Sequence, residues 1–252
     1  MRDLISKDYK SQNESLHQGG LFGISGYKWG PTASWLILRH EFRRVLDYGA
    51  GKQTLKKSLE NLHEVHVQCY DPAIPELANQ PESAELLTCT DVLEHIEPDR
   101  IDEVLNHIQS LTSRMVLLVI PTGPAAKFLP DGRNAHLIQK PLQWWLPKLM
   151  SRFDLISLNH QTEDIVFIGA AKSTGVGLID LELMRQLDIF RHDRILSVSF
   201  DGYSLSISVK PKLFIKRIIP RLISILRLGA KFGVSFRRKG AQHVPSLTIT
   251  YW

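Results

Sequence analysis

Short apolar runs alternate with amphipathic segments along residues 1–172 of the chain. The apolar runs predict strands, at 44–48, 64–70, 85–90 and 115–120, with a final pair at 155–158 and 165–170. Apolar positions at helical spacing predict the intervening helices, at 31–43, 53–61, 101–111 and 141–150. Because the strands are apolar on both faces and alternate with helices, we predict an α/β fold with a doubly wound, mostly parallel, Rossmann-like sheet between two helical layers.

The pattern changes after about residue 172. Residues 195–200 and 203–209 alternate apolar residues with serine on either side of Asp201-Gly202, which predicts a two-residue β-hairpin. Residues 211–231 are apolar and basic at helical spacing. We therefore predict three parts: an N-terminal lid or leader segment (1–29), the α/β domain (30–172) and a small appended hairpin-plus-helix region (173–252).

The appended region is strongly basic. Residues 203–252 hold ten of the 31 lysines and arginines and none of the 26 acids, which leaves residues 1–202 with 21 basic and 26 acidic side chains. Such asymmetry predicts an anionic partner. For a basic helix over 211–239, three interpretations stay open: packing on the acidic body, binding to an anionic membrane surface, or binding to nucleic acid. Nucleic acid is the least favoured, because aromatic residues do not interleave with the charges as base stacking requires.

Composition excludes several classes of protein. Hydrophobic residues make up 43% and charged residues 23%, as in ordinary globular proteins. Cys69 and Cys89, the two cysteines, each lie in an apolar run, which predicts reduced core thiols instead of a disulfide or zinc framework. The charged N-terminus lacks a signal-peptide pattern, and no apolar stretch is long enough to span a membrane. We expect a cytoplasmic location, with peripheral attachment to a membrane left open.

Three acids stand at or near the ends of predicted strands. Asp47 precedes a turn made by Gly49 and Gly51, Asp71 follows the second strand, and Asp91 follows the third. The ligand cleft of an open parallel sheet lies beyond the carboxyl ends of its strands, so these positions predict a ligand site. Glycines let the backbone approach a ligand closely, and an acid twenty residues after Gly51 suits ribose hydroxyls. A plain turn, and an Asx-turn for Asp71, are the structural alternatives.

These motifs carry a resemblance to a known family. The segments Val45–Gly51, Tyr70–Pro72 and Thr90–Glu97 resemble successive motifs of the class I S-adenosylmethionine-dependent methyltransferases, and Asp131–His136 resembles the region after their fifth strand. The resemblance covers roughly residues 30–172 and implies S-adenosyl-L-methionine as cofactor. The residues that it implies as the cofactor site are Asp47, Gly49 and Gly51 at the methionine end, Asp71 at the ribose, and Asp91 with Val92 beneath the cofactor.

Two departures from the family pattern affect what the resemblance implies. The third glycine of the loop is replaced by Gln53, and thirteen residues separate Asp71 from Glu85. That interval is too short for the usual strand and the acid that meets adenine. How adenine is recognised therefore stays open, and so does the alternative of a non-catalytic binding or scaffold module with the same fold.

Methyl transfer to an oxygen benefits from a nearby base, for which His136 and His95 are the candidates. A buried imidazole bonded to backbone is the structural alternative for His95. Asp91 and Glu94-His95, with the distant His136, also resemble the metal set of RNA 2′-O-methyltransferases. We predict no metal, because Asp91 replaces the expected glutamate and many metal-free members share the Glu-His pair. We expect a small-molecule, glycan or lipid acceptor in preference to RNA.

Overall fold

The computed structural model describes residues 4–17, 23–160, 163–172, 195–200, 204–209, 231–239 and 242–250. The chain divides into two compact units, residues 1–140 and 141–252. The helices and strands of the first unit are α1 (Lys7–His17), α2 (Gly26–His40), β1 (Arg44–Tyr48), α3 (Thr54–Ser58), β2 (His66–Tyr70), β3 (Ala84–Thr90), α4 (Ile101–Leu111) and β4 (Thr112–Pro121). Those of the second unit are α5 (Leu142–Met150), β5 (Phe153–Asn159), β6 (Asp164–Ala171), β7 (Ile195–Phe200), β8 (Ser204–Val209), β9 (Lys231–Lys239) and β10 (Gln242–Thr250).

The sheet of the first unit is parallel and runs in the order β2-β1-β3-β4. The connection through α3 leads from β1 towards one edge, and the connection through α4 leads from β3 towards the other. Since both crossovers are expected to be right-handed, the two helices lie on opposite faces of the sheet. The predicted doubly wound α/β fold is confirmed. The strand order reverses between β1 and β3, which is where such sheets bind ligands.

Strands β3 and β4 form the centre of the core. Leu86, Leu87 and Cys89 on β3 are fully or almost fully buried, and every residue of β4 from Met115 to Ile120 is buried. Helix α4 presents the apolar stripe of Ile101, Val104, Leu105, Ile108 and Leu111 to the interior. Uniformly apolar strands are expected where helices cover both faces of a sheet, so the buried centre follows from the sequence pattern.

Helix α2 begins earlier than the sequence predicts. Pro31 is favoured as a first helical residue, but the helix starts at Gly26 and Pro31 lies inside it. A Cβ at Gly26 would stand 2.1 Å from the backbone nitrogen of Leu55. Only glycine therefore lets α2 approach α3 this closely, and this packing holds the additional turn of helix before the proline.

The connection from β2 to β3 contains one short 3-10 turn, Pro75–Leu77, and no strand. Asp71 is tied into this connection, since its N–H donates to the carbonyl of Leu77 at 3.1 Å. Glu76 and Glu82, the acids within the connection, are both exposed. The predicted absence of the additional strand is therefore confirmed.

The second unit contains an antiparallel sheet in the order β6-β5-β7-β8-β10-β9. The predicted hairpin of β7 and β8 is confirmed. The predicted helix over 211–239 is wrong for its last nine residues, because 231–239 form β9, paired with β10. Alternation of apolar and polar residues over 231–239 favours a strand there. Residues 211–230 lie outside the described part of the chain.

Strands β5 and β6 cluster with the C-terminal strands, in a unit that begins at residue 141. The three-part division at 29/30 and 172/173 stays a prediction. Among the described residues, no helix combines the length and the apolar character needed to cross a membrane.

Candidate functional site

A tight glycine turn follows β1. The N–H groups of Gly49 and Ala50 both donate to the carbonyl of Tyr70, at 2.8 and 3.1 Å, which ties the turn to the end of β2. Gly49 has φ +76° and Gly51 has φ +48°, in the left-handed region that favours glycine. A Cβ on Gly49 would lie 2.4 Å from a methyl group of Val92. The glycines are thus required both by the backbone conformation and by close packing.

Asp71 holds the turn from the other side. Its Oδ2 accepts the N–H of Gly51 at 3.1 Å, and its Oδ1 accepts the N–H of Ala73 at 3.0 Å. The second bond is the Asx-turn that the sequence left as an alternative, so Asp71 has this structural role. The same side chain also lines the cavity described below. Because a carboxylate can accept about four hydrogen bonds, hydroxyl groups of a ligand can join the two backbone donors.

Asp47 lies behind the cavity wall. Its side chain is buried between β1 and β3, where Thr88 Oγ1 stands 3.2 Å from Asp47 Oδ1 and 3.3 Å from the carbonyl of Leu46. Burial raises the pKa of Asp47 to about 7; the Thr88 hydrogen bond opposes the rise and the charge of Asp71 adds to it. Since Thr88 has one hydroxyl hydrogen, it donates to Asp47 Oδ1 or to the carbonyl of Leu46, one at a time.

Asp91 and Val92 lie at the carboxyl end of β3. Asp91 adopts φ +56°, which is rare for a residue other than glycine, and its N–H donates to the carbonyl of Val119 at 3.0 Å. This turn directs the chain into the short helical turn Leu93–His95. Both residues line the cavity, as the resemblance implies for a position beneath a cofactor.

Two histidines and a buried glutamate meet at one end of the site. His95 Nδ1 lies 2.7 Å from the carbonyl oxygen of Ala135, and His136 Nδ1 lies 2.7 Å from that of Gly123. A carbonyl oxygen only accepts, so each Nδ1 carries a hydrogen and each neutral imidazole has its lone pair on Nε2. The two Nε2 atoms stand 3.7 and 3.8 Å from the same oxygen, Oε1 of Glu94, whose side chain is fully buried.

The loop that carries His136 is fixed by Asn134. Asn134 Oδ1 accepts the N–H groups of Ala125 and His136, each at 2.9 Å, and Asn134 Nδ2 donates to the carbonyl of Ala125 at 2.8 Å. Farther along, the N–H of Ile138 donates to the carbonyl of Glu94 at 2.9 Å. The bonds of Asn134 order the loop after β4, and the bond from Ile138 to Glu94 attaches that loop to the turn after β3. The two histidine rings stand 4.8 Å apart.

These groups surround a cavity of about 450 Å³, within the range of roughly 300–1,000 Å³ usual for small-molecule sites. Seven of the eight predicted site residues line it: Gly49, Gly51, Asp71, Asp91, Val92, His95 and His136. Asp47 is the exception, since it does not reach the cavity surface. The glycine turn, Asp71, Asp91 and Val92 lie together because each directly follows a strand of one parallel sheet.

Several lining residues were not predicted. Leu4 and Ile5 close part of the cavity, and the N–H of Ser6 donates to the Glu97 carboxylate at 2.7 Å, which fixes the N-terminal segment. Tyr48 and Lys127 also line the cavity. The N-terminal residues have no sequence signal beyond two apolar side chains, whereas Tyr48 stands between Asp47 and Gly49 and could have been inferred from that position.

Comparison with known proteins gives matches to solved structures alone. No protein-family model matches this chain, and neither does any curated protein. The chain is similar to an O-methyltransferase family protein from Burkholderia thailandensis, with 16% identity over 66% of this chain and 59% of that one, and a TM-score of 0.44. It is also similar to 1,6-didemethyltoxoflavin-N1-methyltransferase from the same organism, whose structure holds its acceptor and S-adenosylhomocysteine.

The second match has 15% identity over 69% of this chain and 93% of that one, with a TM-score of 0.48. A third, human N-acetylserotonin methyltransferase in complex with S-adenosylmethionine, has 17% identity over 53% of this chain and 48% of that one, and a TM-score of 0.37. The chain thus spans less than two thirds of the length of the first and third of these proteins. Because these identities lie below 20% and these TM-scores below 0.5, the function of this chain has to be inferred from its own residues.

Proposed function

We propose that this chain is an S-adenosylmethionine-dependent methyltransferase that acts on an oxygen of a small-molecule, glycan or lipid acceptor. The observation that carries the proposal is one cavity with a glycine turn and Asp71 on one side and the paired imidazoles of His95 and His136 on another. The cavity lies at the point where the strand order reverses, which is where doubly wound sheets bind nucleotide-like ligands.

The residues present fit such a cofactor. Side chains at Gly49 and Gly51 would collide with Val92 and with the backbone of Gly23, so the turn approaches its neighbours as closely as backbone allows. Asp71 is fixed by two backbone donors, and a carboxylate is a suitable acceptor for ribose hydroxyls. When bound, the cofactor supplies a methyl group on a sulfonium, for transfer by in-line displacement.

The histidines supply the acceptor side of the reaction. Their Nδ1 hydrogens are held by the carbonyls of Ala135 and Gly123, so the basic Nε2 atoms are the ones that can take a proton from an acceptor hydroxyl. Glu94 lies against both Nε2 atoms and stabilises the charged imidazole that results, as a buried carboxylate does beside a catalytic histidine. Of the two, we place His136 in contact with the acceptor.

Calorimetry with S-adenosylmethionine and S-adenosylhomocysteine tests the cofactor site. We expect micromolar binding, which Asp71→Asn weakens at least tenfold, or about 1.4 kcal/mol. Asp131→Asn, at an exposed acid outside the cavity, is the matched control and should leave affinity unchanged. A folded wild-type protein that binds neither compound would exclude the enzyme and leave the scaffold module.

His136→Ala tests the acceptor side. Once an acceptor is found, this variant should lower turnover by 10²-fold or more, the usual contribution of a general base, and leave cofactor affinity nearly unchanged. His63→Ala, at an exposed histidine that does not line the cavity, serves as control. Equal loss of turnover and of cofactor affinity would remove His136 from the acceptor side.

A metal-dependent form of the same reaction is the second candidate, and one observation favours it. Single ligand atoms of Glu94, His95 and His136 all lie within 4.8 Å of one another. Two imidazoles and a carboxylate form a donor set that divalent transition metals accept, and each imidazole has its other nitrogen bonded to a carbonyl, as metal-binding histidines do. Asp91 is not part of this cluster, although the sequence comparison with RNA 2′-O-methyltransferases included it.

Metal analysis distinguishes the two candidates. Under the metal-dependent candidate, the protein dialysed against Mn²⁺ or Zn²⁺ should retain one ion per chain, and Glu94→Gln should retain none. Activity should then be lost with EDTA and return with the ion. Under the metal-free candidate the dialysed protein retains no stoichiometric metal and EDTA has no effect on turnover.

A further inference from the structure

Helix α2 has two apolar faces. Its inner face packs Ala33, Leu36 and Ile37 into the core, each at most 2% exposed. Its outer face carries Trp35 at 60% and Leu38 at 65% exposure. Large apolar side chains grouped on a solvent-facing surface are typical of an interaction site.

The exposed apolar residues form one stripe. Tyr27, 56% exposed, and the exposed Pro31 precede Trp35 and Leu38 at intervals of four, four and three residues. Positions at this spacing lie above one another on one side of a helix. Two large aromatic side chains and a leucine thus share one solvent-facing surface, here called the outer stripe (Tyr27, Pro31, Trp35 and Leu38).

The charged residues of α2 beside the outer stripe are positive. Lys28 and Arg39 follow Tyr27 and Leu38 in sequence, so both lie on the same edge of the stripe, and both are exposed. Helix α2 contains no Asp or Glu, and the first acid, Glu41, comes after its end. Pairing with the same helix of a second copy in antiparallel orientation would bring Lys28 towards Arg39 of that copy, which like charges oppose.

An anionic lipid surface fits this arrangement better. Tryptophan and tyrosine concentrate at membrane–water interfaces, where the ring enters the apolar side and the polar atom stays hydrated. Basic residues beside them are attracted to anionic headgroups. The outer stripe also begins next to the cavity. Ile24 and Ser25 line the cavity, and they immediately precede α2.

We propose that the outer stripe of α2 docks the protein onto anionic membrane surfaces. Trp35 and Leu38 enter the interface, Tyr27 lies at the headgroup level, and Lys28 and Arg39 contact the phosphates. The proposal does not depend on the methyltransferase reaction. It concerns a surface distinct from the basic C-terminal region.

Vesicle sedimentation of the full chain tests the proposal. The wild-type protein should bind vesicles of phosphatidylcholine and phosphatidylserine more tightly than vesicles of phosphatidylcholine alone. The double variant Trp35→Ser/Leu38→Ser should lower binding at least tenfold, and Lys28→Gln/Arg39→Gln should remove most of the preference for phosphatidylserine. Phe128→Ser removes an equally exposed aromatic residue elsewhere and should bind like the wild type.

Tryptophan fluorescence identifies the segment that enters the lipid. Vesicles should shift the emission of the wild-type protein to shorter wavelength, and Trp35→Phe should abolish that shift while binding stays within about threefold. Three results would overturn the proposal: no vesicle binding by the folded wild type, unchanged binding of the Trp35→Ser/Leu38→Ser variant, or a shift that persists in Trp35→Phe. A dimeric wild type made monomeric by the double variant would assign the stripe to self-association.

Discussion

Gly49→Ala is the sharpest test of the cavity wall, because two separate costs meet at this position. At φ +76° an alanine is strained, by about 1–2 kcal/mol for the left-handed region. Its Cβ would also lie 2.4 and 2.7 Å from the two methyl groups of Val92. Overpacking of that kind typically costs about 1–3 kcal/mol. We therefore expect a total loss of about 2–5 kcal/mol in the free energy of unfolding.

Gly132 offers a matched control for the backbone cost. It has φ +87°, and an added Cβ would meet nothing within 4 Å. Gly132→Ala should thus lose the strain of about 1–2 kcal/mol alone. The difference between the two variants, measured by urea unfolding, estimates the collision with Val92.

Val92→Ala supplies the second half of the test. In the Gly49→Ala background it removes the colliding methyl groups, so the double variant should lose less stability than the sum of the single variants. The coupling expected for touching residues is about 0.5–3 kcal/mol. Additive losses, or a Gly49→Ala loss no larger than that of Gly132→Ala, would show that the turn is not packed against β3 as described.

Four further predictions follow from particular contacts. Burial raises the pKa of Asp47 from 3.8 to about 7, so the stability that the protonated side chain allows below pH 4 is lost as the pH rises to 7. In urea titrations, the free energy of unfolding of the wild type relative to Asp47→Asn should fall by on the order of 1.4 kcal/mol per pH unit across this window. Gly26→Ala, which meets the Leu55 backbone at 2.1 Å, should lower the melting temperature more than Gly30→Ala, which meets side-chain atoms of Ser58 and no backbone atom within 4 Å. Asn134→Ala should lower turnover without changing cofactor affinity, with Asn134→Asp intermediate because it keeps the two acceptor bonds of Oδ1; an equal loss of affinity would contradict a positioning role. Burial raises the pKa of Cys69 to about 11 and that of the fully buried Cys89 well above its usual value. A thiol reagent at pH 8 should therefore label Cys89 only after unfolding, and should label the half-buried Cys69 more slowly in the folded protein than in the unfolded one.

Sequence patterns predict the centre of the first unit well and its periphery poorly. β1 and α4 match their predicted bounds, because uniform or helically spaced apolar residues define each from end to end. Helix α1 is not predicted, since its sequence is polar; within the part of it whose side chains are described, residues 7–12, Tyr9 alone is deeply buried. The early start of α2 depends on the contact between Gly26 and Leu55, which no local pattern contains.

The candidate site shows the same division. Asp71, Asp91 and the glycine turn could be predicted, since topology alone brings the ends of neighbouring parallel strands together. The position of Asp47 could not, because a buried strand residue can face the cavity or the opposite side of the sheet. The face of the sheet on which the side chain lies decides whether the carboxylate lines the cavity or lies behind its wall. Here the Asp47 carboxylate lies behind the wall, where it accepts a hydrogen bond from Thr88.

The meeting of His95 with His136 depends on structure beyond both motifs. The two residues come from different loops. Asn134 orders the loop of His136 internally. The N–H of Ile138 and the ring of His95 join that loop to the turn after β3, through the carbonyls of Glu94 and Ala135. Both Nδ1 atoms are hydrogen-bonded to backbone carbonyls, and both Nε2 atoms lie near the same oxygen of Glu94. A positive charge between these three atoms would be attracted to each of them, and a proton or a divalent cation can each supply it. The two candidate functions therefore use the same atoms, and Glu94→Gln affects them differently: it weakens a proton-accepting histidine pair without any change in metal content, whereas it abolishes retention of the ion by a metal site.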